Sequence, residues 1–335
     1  MTPAKRRELL LNVGLALVMF LGMCVAAELG LRYVLLRRYN PFQADEALGV
    51  RLKSDFDGAY PRVRVRTDRH GRRIPGDQEG DASGRYLFVG DSVTFGFSML
   101  ARDSFPSLVG EILGSRADAT VAAVPGYNLE QALGLARESV QRARAEFVVY
   151  GLVVNDVGSA LSPATYEGLN PHAARAREGG FLAQSAFVAF VQRRLNRLSS
   201  RFAGPETEQR SANVVRRYPD DLPAGADAAF RTQWLELESF QRQLGVPVFV
   251  LVAPFALQVY EEPGDRGLQE YVETLCAGSN LICLDPLEHF LAHSDEPLFT
   301  EGSSYHYNRA GHALLARWLA GRLVDQPTDS PAPSH

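Results

Sequence analysis

The sequence predicts an α/β protein with a mostly parallel sheet, preceded by one apolar helix. Three observations predict it: an apolar run near the N-terminus, five short apolar runs after Gly84, and helix-patterned stretches between those runs. With 335 residues, 46% hydrophobic and 22% charged, the chain has material for a large core and is not disordered. Its 35 basic and 39 acidic side chains give a formal net charge of −4, which argues against an electrostatic nucleic-acid binder, since that needs a basic face to displace counterions. Three cysteines in 335 residues exclude a small disulfide scaffold.

The first element follows Lys5-Arg6-Arg7. From Leu9 to Ala27 the 19 residues are apolar apart from Asn12 and glycines, long enough to span a bilayer and without the polar face of a core helix. Residues 1–7 are therefore expected in the cytoplasm and 8–36 in a transmembrane helix. Arg32, Arg37 and Arg38 nearly balance the basic flank, so charge orients the segment weakly. Val25-Ala26-Ala27 has the small-residue form of a signal-peptidase site, and Leu21-Gly22-Met23-Cys24 is a poor lipobox because methionine precedes the cysteine. An uncleaved anchor is the expectation; a cleaved signal is the alternative.

Residues 37–84 read as a polar, β-rich juxtamembrane segment. Within it Arg62-Val63-Arg64-Val65-Arg66 alternates with period two, placing three arginines on one face of a strand and two valines on the other. A solvated strand face is the plain expectation, and a cationic edge for anionic head groups or glycans the sharper one.

The regular region spans 85–325. Buried strands are expected at Tyr86–Val89, Thr120–Val124, Phe147–Val154, Val246–Val252 and Leu281–Leu284, with helices at Phe105–Leu113, Leu129–Ala145 and Ala310–Leu323. Strands alternating with helices imply a parallel sheet covered on both faces. The gap at about 157–245 is too long for one crossover and reads as a helical insertion, with Phe187, Phe190, Val191, Leu195 and Leu198 near helical spacing inside 181–202. Residues 326–335 read as a disordered tail.

In an open α/β sheet, ligands bind outside the carboxyl ends of the strands. The first strand there delivers Gly90-Asp91-Ser92, the second Gly126-Tyr127-Asn128, the third Asn155-Asp156. A serine nucleophile needs a base, and its oxyanion needs aimed donors. Ser92 supplies the hydroxyl; its own N–H, the N–H of Gly126 and the amide of Asn155 are the candidate donors. His306, just before the last helix, returns to the same edge as candidate base, whereas His312 lies in that helix and is expected to pack or meet solvent. His289 and His293 are four apart but lack a carboxylate companion, so they read as one helix face and not a zinc pair, and no metal or cofactor is expected.

The segments VGDSVTFG, VPGYN, VVNDV and YHYNRAGH resemble, in order, the four blocks of the SGNH (GDSL-type) serine hydrolases. The resemblance covers about 85–323. It implies a three-layer flavodoxin-like fold, Ser92 as nucleophile, Gly126 and Asn155 as oxyanion donors and His306 as base, with Gly90, Asp91 and Asp156 completing the blocks. It also implies a carboxylic ester hydrolase, hydrolysing or transferring O-acyl groups without a cofactor.

The chain departs from the family in one place. Family members carry an Asp two or three residues before the histidine, and here those seats hold Ser304 and Ser303. Glu301 is the nearest upstream carboxylate, so Ser303, Ser304 and Glu301 are the candidates for orienting His306. The anchor followed by VRVRTDRHGRR resembles membrane-tethered bacterial members, which implies an inner-membrane protein facing the periplasm and an acylated glycan or small-molecule substrate, with O-acetyl on an extracytoplasmic glycan as the expected group. A membrane-anchored scaffold with an impaired site is the alternative, motivated by the missing Asp. Cys276 and Cys283, seven apart in apolar surroundings, are expected as two buried thiols, with a disulfide as the alternative.

Overall fold

The computed structural model describes residues 2–38, 40–60, 63–76, 84–140, 142, 145–169 and 222–324. The expected helix at 181–202, most of the insertion around it and the tail lie outside them.

Helix α1 spans Pro3–Arg38. It starts five residues before the expected boundary because proline is tolerated in a helix's first turn, where its missing N–H has no partner to lose. Its stretch Pro3–Leu31 is long and apolar enough to cross a membrane.

The second unit comprises residues 41–169 and 211–335, and its centre is a five-stranded parallel sheet. The chain first makes two antiparallel pairs, β1 (Phe42–Asp45) with β2 (Gly49–Leu52) and β3 (Asp57–Ala59) with β4 (Arg64–Arg66). The sheet follows: β5 (Tyr86–Gly90), β6 (Ala119–Ala123), β7 (Phe147–Leu152), β8 (Val248–Val252) and β9 (Ile282–Leu284), in the order β6-β5-β7-β8-β9. That is the flavodoxin-like 2-1-3-4-5 order, whose switch point lies between the first and third sheet strands, here β5 and β7.

Alternation along each strand separates two cores. On one face Leu87, Val89, Tyr150 and Val250 meet helices α4 (Leu129–Val140) and α7 (Ala226–Leu244), whose Leu133, Ala136, Phe230 and Trp234 are buried. On the other, Phe88, Val149, Phe249 and Leu251 meet α3 (Phe105–Leu113) and α10 (Arg309–Val324) through Val109, Leu315 and Leu319. The remaining described helices are short or peripheral: α2 (Ser92–Phe95), α5 (Val154–Gly158), α6 (Tyr166–Leu169), α8 (Gly267–Cys276) and α9 (Leu287–Leu291). The expected strand through Val154 stops at Leu152, because the Asp156 carboxylate accepts the Val153 N–H at 2.9 Å and turns the chain into α5. Helix α4 ends at Val140 instead of Ala145, its last turn closing with Arg142 N–H on the Ser139 carbonyl.

The β1–β4 segment is built into the first core. Phe42, Val50, Leu52, Phe56 and Val65 are buried in it, the Tyr127 hydroxyl donates to the Val50 carbonyl, and the Gln131 amide donates to the Leu48 carbonyl at 2.6 Å. The alternation around Val65 is real, with Val65 buried and Arg64 exposed, but Asp57 pairs with Arg64 at 2.7 Å and opposes its charge. Arg62 lies outside the described residues.

Cys276 and Cys283 are joined in a disulfide, Cα atoms 6.3 Å apart, which overturns the expectation of two buried thiols. Burial alone did not decide their state: both are only half-buried, at the end of α8 and within β9, close enough to bridge. Cys24 is free and exposed on α1. Thiol titration of the unreduced, denatured protein is expected to give one thiol per chain, and three after reduction, from the three cysteines of the sequence. Three thiols before reduction would remove the bridge.

Candidate active site

Strand β5 ends at Gly90, and Asp91 caps α2 by accepting the Val93 N–H at 2.8 Å. Ser92 is thereby the first helical residue, at the carboxyl edge of the sheet beside the switch point. The glycines around it are steric. A Cβ on Gly90 would lie 2.5 Å from Thr94 Oγ1 and 2.9 Å from the Gly151 carbonyl, and one on Gly151 would lie 2.2 Å from Thr94 Oγ1. The turn can fold back over β5 and β7 only because both strands lack a side chain there.

The YHYNRAGH block builds the loop that carries His306. Tyr307 is buried and donates its hydroxyl to the Pro254 carbonyl at 2.7 Å, anchoring the loop to the end of β8. Asn308 caps α10 by accepting from the N–H groups of Ala310 at 2.8 Å and Gly311 at 3.1 Å. At Gly311 a Cβ would strike the Leu298 carbonyl at 2.1 Å, so glycine is needed for the crossing. His312 is buried, its Nδ1 accepts the Phe105 N–H at 3.2 Å at the start of α3, and burial pushes its pKa down to about 3, keeping it neutral.

These two constructions meet. His306 Nε2 stands 2.8 Å from Ser92 Oγ, and His306 Nδ1 stands 2.9 Å from Ser303 Oγ, which also accepts the His306 backbone N–H at 3.0 Å. Of the three candidates for orienting His306, Ser303 occupies Nδ1. The Ser304 carbonyl is taken by the Ala256 N–H at 2.6 Å, and Glu301 is exposed in the preceding turn. Burial pushes His306 down to about 4. Ser92 is 7% exposed, and its hydroxyl also lies 3.1 Å from Asp91 Oδ2. Burial raises Asp91 to about 6, against hydrogen bonds from Val93, Ser92 and the Asn155 side chain that lower it. Asp156 is raised further by burial and by the charge of Asp91, while Tyr150 donates its hydroxyl to it at 2.9 Å.

Gly126 and Asn155 follow β6 and β7, the two neighbours of β5, and so flank Ser92 on either side. Gly126 is exposed and has φ +84°, a region open to glycine. Asn128 caps α4, accepting the Gln131 N–H at 3.0 Å. His289 and His293 touch each other, with Nδ1 of His293 2.8 Å from the His289 carbonyl. Sequence reasoning missed the aromatic walls of His306: Phe97 stacks on its ring at 4.6 Å, and Tyr305 meets it edge-on at 4.6 Å. Phe97 lies five residues after Ser92, where only the pair distance reveals it.

A hydroxyl and an imidazole in contact at the sheet's switch point are a nucleophile with its base, the pairing that acyl transfer uses. The chain belongs to the GDSL-like Lipase/Acylhydrolase family, whose profile matches residues 88–314. It is a carboxylic ester hydrolase by that membership. Among solved structures it is similar to an acetyl xylan esterase, with 13% identity over 71% of this chain and 98% of the other at TM-score 0.42. It is also similar to an alpha/beta hydrolase enzyme from the metagenome of Lake Arreo, Spain, with 12% identity, coverage of 72% and 97%, and TM-score 0.43. A catalytic mutant of an acetylxylan esterase from Geobacillus stearothermophilus aligns at 15% identity, coverage of 73% and 95%, and TM-score 0.41. No curated protein matches the chain.

The Thr94 contacts generate a test of the turn. Gly151→Ala is expected to cost about 2 kcal/mol from overpacking against Thr94. Combining it with Thr94→Ala, which removes the obstructing hydroxyl, should recover much of that loss in urea denaturation. Strict additivity of the two changes would refute the contact.

Proposed function

We propose that this ester hydrolase works through a Ser92 acyl-enzyme and removes small O-acyl groups, acetyl foremost, from a glycan outside the cytoplasm. The observation that carries this reading is the 2.8 Å contact between Ser92 Oγ and His306 Nε2. His306 takes the hydroxyl proton as Ser92 Oγ adds to the acyl carbonyl. The N–H groups of Ser92 and Gly126 and the Asn155 amide receive the oxyanion. Collapse expels the alcohol, which takes the proton from the imidazolium. Water, activated by the same imidazole, then releases the acid and frees Ser92; a sugar hydroxyl in place of that water makes the step a transfer.

Ser303 orients the base in this mechanism. Its oxygen accepts from the backbone N–H and from Nδ1–H, which leaves the Nε2 lone pair facing Ser92. A hydroxyl sets the tautomer but supplies no negative charge to the imidazolium. This fits a histidine whose burial alone depresses its pKa. The scaffold alternative rested on an empty acid seat, and Ser303 fills that seat with an acceptor.

Two observations support the finer parts. A Cβ at Gly126 would meet Leu169 at 3.4 Å and Ala164 at 3.7 Å, ordinary van der Waals contact, so apolar side chains border that donor, which suits an acyl group. The Cys276–Cys283 bridge favours an oxidising compartment, and with α1 as an anchor it supports a bacterial inner-membrane protein with residues 1–7 inside and the hydrolase unit in the periplasm.

The test is hydrolysis of short acyl esters and O-acetylated glycans by the full chain and by intact cells given a charged ester that does not cross the inner membrane. Acetyl esters should be preferred over longer ones. A fluorophosphonate should label the wild type but not Ser92→Ala. Ser92→Ala and His306→Ala should each remove most turnover, and the double mutant should be little worse because the pair acts as a unit. Full activity in His306→Ala would place the base elsewhere.

The pH profile tests the neutral partner. Imidazole accepts the Ser92 proton only while unprotonated, so kcat/KM should fall as pH drops through the folded pKa, near about 4 and below the ordinary 6.5. Ser303→Asp should raise that limb, because a carboxylate favours the imidazolium, and should raise kcat by about tenfold, part of the ~10⁴ that loss of an acid's proper contact costs serine proteases. Asp91 is untouched by that substitution, so a limb that stays in place in Ser303→Asp belongs to another group.

A further inference from the structure

We propose that Arg73 is a positioning residue for the hydrolysis, its guanidinium clamping the turn that joins Ser92 to the aromatic cover of His306. The proposal rests on the Ser92–His306 reading above. Arg73 lies outside the region that matches the family and is 1% exposed. Its Nη1 donates to the carbonyls of Phe95 and of Gly96, the latter at 2.9 Å, and its Nη2 donates to the Met99 carbonyl at 2.6 Å. The guanidinium also stands 4.3 Å over the Phe95 ring. No carboxylate pairs with it among the described residues, and burial pulls its pKa down to about 9. The adjacent Arg72 differs: it forms a buried ion pair with Asp68 at 2.8 Å, an ordinary structural contact.

A buried cation without a counter-ion is costly and persists where dipoles replace the missing charge. Here the dipoles are the carbonyls at the end of α2 and of the turn after it, groups that a helix leaves without internal partners. That strip is bonded back to the nucleophile. The Ser92 carbonyl accepts the N–H groups of Gly96 and, at 2.9 Å, of Phe97. Phe97 in turn stacks on the His306 ring. Ser98, between Phe97 and Met99, has φ +64°, a conformation a serine adopts only when its surroundings impose it. One guanidinium therefore spans a strip that carries the hydroxyl at one end and touches the imidazole from the other. Arg73 is itself fixed, its backbone N–H donating to the Val121 carbonyl on β6 at 3.2 Å.

Three carbonyls shared between two nitrogens suit a guanidinium fork and not an ammonium, which is a single point of charge. Arg73→Lys keeps the charge and loses the span, and Arg73→Ala leaves a carbonyl-lined space. The full chain carrying each is compared with wild type for thermal midpoint, kcat and KM on a short acyl ester, and second-order rate of fluorophosphonate labelling. The expected result is a folded Arg73→Lys in which kcat and the labelling rate fall together by about tenfold while KM stays within about twofold, the pattern of misplaced reacting groups. Millimolar guanidinium ion should restore part of the labelling rate in Arg73→Ala and none in Arg73→Lys, a rescue that a general stabilising role would not produce. A folded Arg73→Lys with kcat within about twofold of wild type overturns the proposal. So does a loss that merely follows the folded fraction, or failure of both variants to fold, since Arg73 then serves the fold at large. Labelling that persists in Ser92→Ala would instead overturn the underlying reading, whatever the Arg73 variants do.

Discussion

The hydrogen bond between Ser92 and His306 closes a separation of 214 residues and is the constraint on which the other features bear. Neither residue reaches the other through local structure. Ser92 is delivered by β5 and a four-residue helix, His306 by a loop pinned to β8 through Tyr307 and to α10 through Asn308. Each delivery depends on backbone passing where a side chain would obstruct it, at Gly90 and Gly151 on one side and at Gly311 on the other. The parallel sheet supplies the common reference, because all its strands end on one edge and the order β6-β5-β7 puts Gly126 and Asn155 to either side of the hydroxyl.

Electrostatically, burial shifts the titratable groups of the site toward their neutral forms. Burial depresses His306 and His312 and raises Asp91 and Asp156. The two effects oppose each other in pH-dependent stability. Buried neutral histidines favour the fold above their unfolded pKa, and that advantage is lost as pH falls toward the folded values of about 4 and 3. Buried carboxylic acids with raised pKa values favour the fold at low pH instead, and lose that advantage as pH rises through the folded value, about 6 for Asp91. A carboxylate beside His306 would add a buried charge, whereas the Ser303 hydroxyl adds none. The interior cation of Arg73 is met by carbonyl dipoles, in keeping with an interior sparing of net charge around the reacting pair.

What was legible in the sequence followed from periodicity. Five apolar runs located all five sheet strands to within two residues at each end, since continuous burial on both faces leaves a continuous apolar signature. The ends at Leu152 and Val140 were missed because local side-chain and turn hydrogen bonds decided them, while apolarity continues past Leu152 and helix-forming residues continue past Val140. Ser92 and His306 were legible because their neighbours form spaced blocks at strand ends. Arg73 and Phe97 were not. In a chain where only Lys5 and Lys53 among the basic residues are not arginine, one more arginine carries no signal, and its burial against three carbonyls is a property of the folded chain alone. The disulfide was undecidable from burial, since a seven-residue separation suits both states.

The contacts at the two margins of the sheet also bear on how this protein behaves among copies of itself. An open parallel sheet ends in unpaired N–H and C=O groups that can recruit a strand from another chain. On the β6 side, the backbone of Arg73 bridges to Val121, so the residue that bears the buried guanidinium also occupies the middle of that edge. On the β9 side the strand is only three residues long, and the bridge from Cys283 to Cys276 ties it to α8 against fraying or slipping in register. One margin thus carries a backbone bridge and the other a short, covalently tied strand, an arrangement that leaves little free ladder for a second copy to extend.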